Sequence, residues 1–304
     1  MSKKRIAVLL GGISAEKNVS LKTGKYVSKS LKKQGYQVKE IKVTANKEKI
    51  IQSLKKFEPD FVFNALHGYF GEDGKIQKLL DKLKLRYSHS NAKSSEIAMD
   101  KKKTKLVFKK IGVPYPKDIL VNINNFNKKL KKISFKYPLV IKPVNEGSSL
   151  GVKICKNVIE LKKYKLKNNI NYLIEEFIPG RELTVGVLNN KALEIIELKT
   201  KKEFYDYKSK YTKGMTKYII PVSVPKDIEN KCKKYTEKIH KFLKCDGVTR
   251  TDFRYDEKAT SGDKLYVLEI NTQPGMTPLS LVPMMAKYQG ISFDKLIKKI
   301  IKED

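Results

Sequence analysis

The decisive stretch of the chain is RTDFRYDEKATSGDKLYVLEINTQPGMT, residues 250–277. Its second half, LYVLEIN, is rich in β-branched and aromatic residues, and its alternation places Glu269 and Asn271 on one face of a strand. The first half reads as a partner strand in which Arg250 and Asp252 share a face by the same period. The polar, glycine-containing link between the two halves is typical of a hairpin connection.

Two acids and an amide on neighbouring strands suggest a metal site. Asp252, Glu269 and Asn271 offer hard oxygen ligands, which suit Mg²⁺, an ion that keeps few protein ligands and shares the rest with phosphates. That chemistry points to a nucleotide enzyme. An antiparallel pair with a polar, solvated face explains the same residues, and both interpretations stay open at this point.

Composition excludes several classes of protein. The chain has 304 residues, enough for two or three domains. Its formal charge of +33 could indicate nucleic-acid binding, but the lysines are scattered through every segment and no recognised nucleic-acid motif is present. We therefore expect no specific nucleic-acid partner, only weak binding to polyanions at low salt. The apolar run near the start is too short to span a bilayer and lacks a cleavage site, so we expect a cytoplasmic protein without a membrane partner.

The order of elements predicts the fold class. Strand and helix patterns alternate up to about residue 95, which predicts an open, parallel α/β sheet. A helical stretch at 98–112 and two strands around a Gly/Ser loop follow. Beyond residue 180 the chain becomes rich in strands, with a hairpin turn at 189–190. Mixed α/β architecture with α+β elements is therefore expected.

Three glycine-containing loops are candidate ligand sites. EGSSLG at 146–151 could offer backbone N–H groups to a phosphate, with Lys142 adding charge, although an ordinary hairpin turn explains it equally well. In GGISAEKNVS at 11–20, Ser14 could be an N-cap and Glu16 a first-turn acid, or Glu16 could hold a substrate ammonium. HGYFGEDG at 67–74 follows a strand where ligands usually bind, and its His67 is either structural or catalytic.

Together these motifs resemble one family. The motifs are MDKKKTK at 99–105, IKPVNEGSSLGV at 141–152, LIEEFIPGRELTVGVL at 173–188, RTDF at 250–253 and LEINTQPGMT at 268–277, preceded by GGISAEKNVS and LHGYFGEDG. In this order they resemble the D-alanine–D-alanine ligases of the ATP-grasp superfamily, over nearly the whole chain. The resemblance implies three domains, at 1–95, 96–180 and 181–304, with ATP held between the last two.

The resemblance also implies a role for individual residues. The ATP-binding positions are Lys101, Lys142, Ser148, Ser149, Glu175, Phe177, Ile178, Glu182 and Lys210. The catalytic positions are Glu16, Ser148, Arg250, Gly275 and Tyr211, and the substrate-binding positions are Glu16, His67, Ser280 and Leu281. Asp252, Glu269 and Asn271 match the ligands of two Mg²⁺ or Mn²⁺ ions. A homodimer is also implied.

The implied reaction joins two D-alanines through an acyl phosphate, for peptidoglycan precursor synthesis. Residues 201–216 match the family's lid, and Tyr211 matches a lid tyrosine that reaches Ser148 and Glu16. A tyrosine there favours an amine as the second nucleophile, whereas family members that make depsipeptides tend to carry a different residue. The alternative is a ligase of the same superfamily with another second substrate, such as D-serine or D-lactate. One departure lies at 88–95, where the family usually has a glycine near His89.

Overall fold

A computed structural model describes residues 3–200, 215–260 and 262–302 of the chain. The strands are β1 (Arg5–Gly11), β2 (Gln37–Val43), β3 (Phe61–Asn64), β4 (Asp118–Val121), β5 (Leu139–Pro143), β6 (Lys153–Cys155), β7 (Tyr172–Glu176), β8 (Arg181–Leu188), β9 (Lys191–Thr200), β10 (Thr216–Ile219), β11 (Val248–Tyr255) and β12 (Leu265–Asn271). The helices are α1 (Lys17–Lys33), α2 (Lys47–Phe57), α3 (Lys75–Lys82), α4 (Ala92–Met99), α5 (Lys101–Lys110), α6 (Phe126–Leu130), α7 (Val158–Lys162), α8 (Lys226–Phe242), α9 (Leu281–Tyr288) and α10 (Phe293–Ile300).

The first sheet is parallel, in the order β2-β1-β3. Its central strand β1 is apolar almost throughout and buried on both faces, as parallel strands covered by helices are. The predicted open, parallel α/β arrangement is therefore confirmed. Ser14 is not the N-cap of α1, because the helix begins at Lys17 with Glu16 in the cap position.

Helix α1 lies unusually close to β1 at Gly24. A Cβ atom at this position would be 2.5 Å from the Cβ atom of Leu10. We expect Gly24→Ala to lower the free energy of unfolding by about 1–3 kcal/mol, because the helix must move away from the strand. Urea denaturation checks this, with the exposed neighbour Lys25→Ala as the control. An unchanged midpoint for Gly24→Ala would show that the helix does not pack as described.

The second sheet is antiparallel, in the order β4-β7-β5-β6. Its strands β5 and β6 flank the Gly/Ser loop, as the sequence predicts. The predicted helical stretch at 98–112 is divided in two at Asp100, whose side chain accepts hydrogen bonds from the backbone N–H groups of Lys102 and Lys103. This cap orients α5 so that its first residue, Lys101, donates its backbone N–H to the carbonyl oxygen of Val144, just beyond β5.

The third sheet is antiparallel, in the order β10-β9-β8-β11-β12. The predicted hairpin at Asn189 and Asn190 is present, and both residues have positive φ, at 49° and 65°. Asparagine tolerates this backbone region, which two-residue hairpin turns need. The predicted pair of strands in 250–277 is β11 and β12.

One hydrophobic core joins the first and third sheets. Ile6 and Val8 of β1 share it with Leu296 and Ile300 of α10. A polar contact reinforces this, because Ser30 of α1 donates a hydrogen bond of 2.7 Å to Asp294. The end of the chain therefore supports the N-terminal sheet. No helix within the described ranges has both the length and the apolar composition needed to cross a bilayer.

Candidate active site

One face of the third sheet gathers four of the predicted site residues. Asp252 of β11 lies directly opposite Glu269 of β12, and Arg250 lies opposite Asn271. Cross-strand partners point to the same side of a sheet, so these four side chains share one face, here called the Asp252 face. Arg254, two residues beyond Asp252, continues the same face. The sequence period predicted the pairs Arg250 with Asp252 and Glu269 with Asn271, and the register confirms that the two pairs share a face.

Asp252 is held by two neighbours. Its carboxylate accepts hydrogen bonds of 2.8 Å from Arg250 Nε and 2.7 Å from Arg250 Nη2. Thr184, which lies opposite Asp252 on β8, donates a further bond of 2.6 Å to Oδ1. The carboxylate therefore has a fixed orientation, because its partners approach from the same strand and from the next one.

The Asp252 face fits a hard divalent cation. Its donors are the carboxylates of Asp252 and Glu269 and the amide oxygen of Asn271, the ligand chemistry that Mg²⁺ and Mn²⁺ take. Within the part of the chain that the structure describes, no three His, Cys, Asp or Glu side chains come together as a metal-binding group. The candidate site is therefore a pair of acids completed by an amide, with room in the coordination for phosphate oxygens.

Lys101 connects the Asp252 face with the phosphate loop, residues 146–151. Its Nζ donates a bond of 2.6 Å to the carbonyl oxygen of Glu146 and lies 3.4 Å from the carboxylate of Glu269. The side chain is buried, so its charge is little screened by water. A positive charge between the acids and the loop is well placed for an anionic ligand.

Four charged side chains of the second sheet and α5 form a buried charge cluster: Lys105, Asp118, Lys142 and Glu175. Glu175 of β7 lies directly opposite Asp118 of β4, an unfavourable pair of like charges. Lysines compensate: Lys142 Nζ is 2.7 Å and Lys105 Nζ 2.9 Å from the Glu175 carboxylate. Burial alone would raise the pKa of Glu175, but the charges of Lys105 and Lys142 hold it below its usual value. The carboxylate is therefore ionised although it is buried.

The predicted base-binding segment borders a cavity. The cavity has a volume of about 520 Å³ and is lined by Tyr137, Pro138, Ile154, Lys156, Phe177, Pro179 and Gly180. Ile178 is buried next to it, and Glu182 is the second residue of strand β8. An aromatic ring beside an open apolar cavity suits a flat heterocycle.

The phosphate loop contacts the N-terminal sheet through Glu16. Ser148 donates a short hydrogen bond to the Glu16 carboxylate, and Ser148 and Ser149 both have positive φ. Gly68 lies on the other side with a φ of 66°, a backbone region that favours glycine, and a Cβ atom there would lie 2.9 Å from Glu16 Oε2. The structure therefore brings Glu16 and Ser148 together from positions 132 residues apart.

His67 is held by protein side chains on both ring nitrogens. Its Nδ1 is 2.9 Å from Glu72, and its Nε2 is 3.2 Å from Thr23. Burial alone would lower the pKa of His67, but the hydrogen bond and charge of Glu72, with the charge of Glu16, raise it above its usual value. Its assignment to substrate binding stays a prediction, and the contacts show a residue that supports the Glu16 region.

Gly275, Ser280 and Leu281 meet at the start of α9. A Cβ atom at Gly275 would lie 3.1 Å from Ser280 Oγ, which also accepts a bond of 3.1 Å from the backbone N–H of Thr277. Ser280 occupies the N-cap position and Leu281 is the first helical residue. Free N–H groups at such a helix start favour an anionic group, such as a substrate carboxylate.

Tyr211 and Lys210 lie outside the described residues, as does most of the predicted lid at 201–216. The lid assignment stays a prediction; Thr216, at its predicted end, is the first residue of β10 and pairs with Thr200 of β9.

Four neighbours of the site were not assigned a role from the sequence. They are Lys105, Thr184, Arg254 and Gln273. Gln273 accepts a bond of 2.8 Å from Asn64 of β3, and its own backbone N–H donates a bond of 2.7 Å to Asn271. Lys105 follows Lys101 by one helical turn, and Thr184 and Arg254 alternate with Glu182 and Asp252 along their strands. The helix and strand periods could therefore have predicted that Lys105, Thr184 and Arg254 lie near the site, whereas no local pattern predicts this for Gln273.

Comparison with known proteins gives consistent results. A family model described as D-ala D-ala ligase C-terminus matches residues 107–302. A D-alanine–D-alanine ligase of Pelagibacter ubique is 48% identical over 306 residues, which cover 99% of this chain and 98% of that protein. The crystal structure of the Bacillus anthracis D-alanine–D-alanine ligase complexed with ATP is similar at a TM-score of 0.82 and 33% identity, covering 99% of this chain and 97% of that one. The VanG D-Ala:D-Ser ligase of Enterococcus faecalis has a TM-score of 0.82 at 27% identity, with 99% of both chains covered.

Proposed function

The chain belongs to the D-alanine–D-alanine ligase family, and from this premise we propose how its own residues carry out the reaction. It has the ATP-grasp fold and joins two molecules of D-alanine in an ATP-dependent reaction that serves peptidoglycan synthesis. The observation that carries the residue assignments is the Asp252 face, where Arg250, Asp252, Glu269 and Asn271 lie together beside Lys101 and the phosphate loop.

ATP binds between the second and third sheets. Lys101 and Lys142 contact its phosphates, and the loop with Ser148 and Ser149 covers them, since its backbone can approach an anion closely. The base lies in the cavity beside Phe177 and Ile178, with Glu175 on its polar side. Glu182 accepts hydrogen bonds from the ribose hydroxyls. Lys210, in the predicted lid, completes this set.

Asp252, Glu269 and Asn271 hold two Mg²⁺ or Mn²⁺ ions, whose chemistry is to neutralise charge on the transferring phosphoryl group. Support comes from the donor set and from the shared face of the three residues. Arg250 donates two hydrogen bonds to Asp252 and so lies beside this site, where its positive charge can stabilise developing negative charge.

The first D-alanine binds with its ammonium group on Glu16. Its carboxylate oxygen attacks the γ-phosphorus of ATP, so that an acyl phosphate forms and ADP leaves. The amine of the second D-alanine, after losing a proton, then attacks the acyl carbon, and inorganic phosphate leaves with the electrons of the broken C–O bond. Arg250 and the backbone N–H of Gly275 stabilise the tetrahedral oxyanion. The start of α9 at Ser280 and Leu281 holds the second carboxylate, and Tyr211 reaches Ser148 and Glu16 from the lid.

The larger organisation follows the three sheets. Residues 1–95, 96–180 and 181–304 form three domains, each built around one sheet.

The chain assembles as a homodimer, as the family resemblance implies, and light scattering coupled to size exclusion tests this. It works in the cytoplasm, where ATP is available and where Cys155, Cys232 and Cys245 stay reduced.

We expect ADP release by the purified protein to depend on D-alanine and on Mg²⁺, with one dipeptide formed for each ADP. A coupled ADP assay combined with chromatography of the products measures both. D-serine and D-lactate, offered together with D-alanine, test the second site; we expect D-alanine to be preferred over D-lactate because Tyr211 favours an amine nucleophile, and the D-serine product shows whether the site also distinguishes between two amines. ADP release without any D-alanine requirement, by folded protein, would contradict the assigned reaction.

A further inference from the structure

Arg254 makes three contacts that all lead to the base-binding segment. Its guanidinium carbon is 5.6 Å from the centroid of the Phe177 ring. Its Nε donates a hydrogen bond of 3.0 Å to the carbonyl oxygen of Ile178. Its Nη1 lies 3.6 Å from the carboxylate of Glu182. One side chain thus touches an aromatic ring, a backbone carbonyl and an acid that belong to two connected segments.

This arginine is largely withdrawn from water, which makes its contacts more important. Its side chain is 12% exposed, and that of Glu182 is 13% exposed. Burial lowers the pKa of Arg254, while the charges of Glu182 and Asp256 oppose that effect. A buried guanidinium is costly unless its donors are satisfied. The contacts of Arg254 therefore favour a single position of its side chain.

The position of Arg254 in the strand adds a connection to the metal ligands. Arg254 lies two residues after Asp252 on β11 and opposite Glu182 on β8, whereas Asp252 lies opposite Thr184. The same short piece of strand therefore carries a proposed metal ligand and the side chain that holds the base-binding segment. The strand backbone therefore sets the spacing between the two positions.

We propose that Arg254 is a positioning residue that fixes Phe177, the Ile178 carbonyl and Glu182 in register with Asp252, and so determines affinity and sugar selectivity for the nucleotide. This rests on the nucleotide site proposed above. Arg254 sets the plane of the Phe177 ring by lying against it and aims the Glu182 carboxylate towards a ribose. It takes no part in the transfer of the phosphoryl group.

Arg254→Met keeps a long apolar side chain against Phe177 but removes the charge and the donors. We expect the KM for ATP to rise by about tenfold, because a charge-assisted contact within the site is lost. The kcat at saturating ATP should stay within about threefold, since the reacting groups are untouched. The preference for ATP over 2′-deoxy-ATP should fall, because Glu182 loses its orientation. Arg254→Lys, which keeps the charge near Glu182, should give an intermediate KM.

The matched control is Arg181→Met. Arg181 lies on β8 next to Glu182 but on the opposite face, and its guanidinium pairs with Glu197 at 2.8 Å. Its side chain is 21% exposed, so the substitution removes a comparable ion pair from the same sheet. We expect it to change the unfolding temperature without changing the KM for ATP or the preference over 2′-deoxy-ATP.

Two results separate the inference from the site on which it rests. If Phe177→Ala and Glu182→Gln raise the KM for ATP but neither Arg254 variant does, the positioning role is wrong and the nucleotide site stands. If none of the four variants alters the KM for ATP, the nucleotide site itself is misplaced. Should Arg254→Met fail to fold, Arg254→Lys decides, because a wild-type KM and sugar preference in that variant would overturn the proposal.

Discussion

Replacing Glu269 with glutamine is expected to lower kcat by about 100-fold or more, with the fold intact. Glutamine has nearly the same shape but no charge, so the Asp252 face loses one of its two carboxylates. The contribution of a bound divalent cation to phosphoryl transfer is worth several kcal/mol, and each 1.36 kcal/mol corresponds to a factor of ten in rate. Steady-state kinetics at increasing Mg²⁺ measure the loss and show whether added metal restores part of it.

A readout independent of turnover accompanies this experiment. Mn²⁺ bound in the presence of ADP, measured by electron paramagnetic resonance, should decrease in Glu269→Gln. Glu197→Gln is the control, because Glu197 is a carboxylate of the same sheet that pairs with Arg181 instead. We expect it to bind Mn²⁺ and to turn over as the wild type does. Near-normal kcat in Glu269→Gln would remove Glu269 from the metal site.

Local periodicity in the sequence was sufficient to predict which side chains pair on each strand of the Asp252 face. A strand repeats every two residues, so Glu269 with Asn271, and Arg250 with Asp252, could be assigned to shared faces before any pairing was known. The register of β11 and β12 then sets the two pairs opposite each other. The loop near His89 was uncertain for lack of a glycine, and the structure gives His89 a φ of 69°, in the region where a glycine is usual and a histidine is tolerated.

Contacts between distant segments could not be predicted in this way. Asn64 and Gln273 form a buried hydrogen bond across 209 residues, and it links β3 to the loop after the proposed metal ligands. Nothing in either local sequence identifies the partner, because a side-chain amide can be satisfied by many groups. The break between α4 and α5 was missed for a related reason: Asp100 is a good cap, but whether a helix stops there depends on what its neighbours pack against.

The position of Lys105 in the charge cluster also could not be predicted from the local sequence, because it depends on contacts with other segments. Its side chain is buried, and its Nζ donates a bond of 2.6 Å to the carbonyl oxygen of Pro116 and lies 3.7 Å from Asp118. Burial lowers the pKa of Lys105, although the charges of Glu175 and Asp118 oppose this. Burying a lysine is costly, but here its positive charge offsets the repulsion between two acids, Asp118 and Glu175, that face each other.

The second large effect is expected from Glu175→Gln. This substitution leaves Lys105 and Lys142 without the carboxylate that they share, so we expect the free energy of unfolding to fall by about 3–5 kcal/mol. The loss should be visible in urea denaturation without any nucleotide. Glu96→Gln is the control, because Glu96 forms an ion pair of 2.8 Å with Lys78 on the surface, where water screens the charges. We expect its midpoint to be unchanged.

The double variant Glu175→Gln with Lys105→Met separates stability from nucleotide binding. Lys105 loses its 2.9 Å partner Glu175 in the single variant and keeps Asp118 at 3.7 Å. Replacing this lysine should restore most of the lost stability, because a buried ion pair can be replaced by neutral side chains at little cost. We expect the KM for ATP to rise in Glu175→Gln and to stay high in the double variant, since the carboxylate proposed to face the base is absent from both. Recovery of both quantities would show that Glu175 acts only through packing. Recovery of stability alone, with a KM that remains high, is the result that places Glu175 in the nucleotide site.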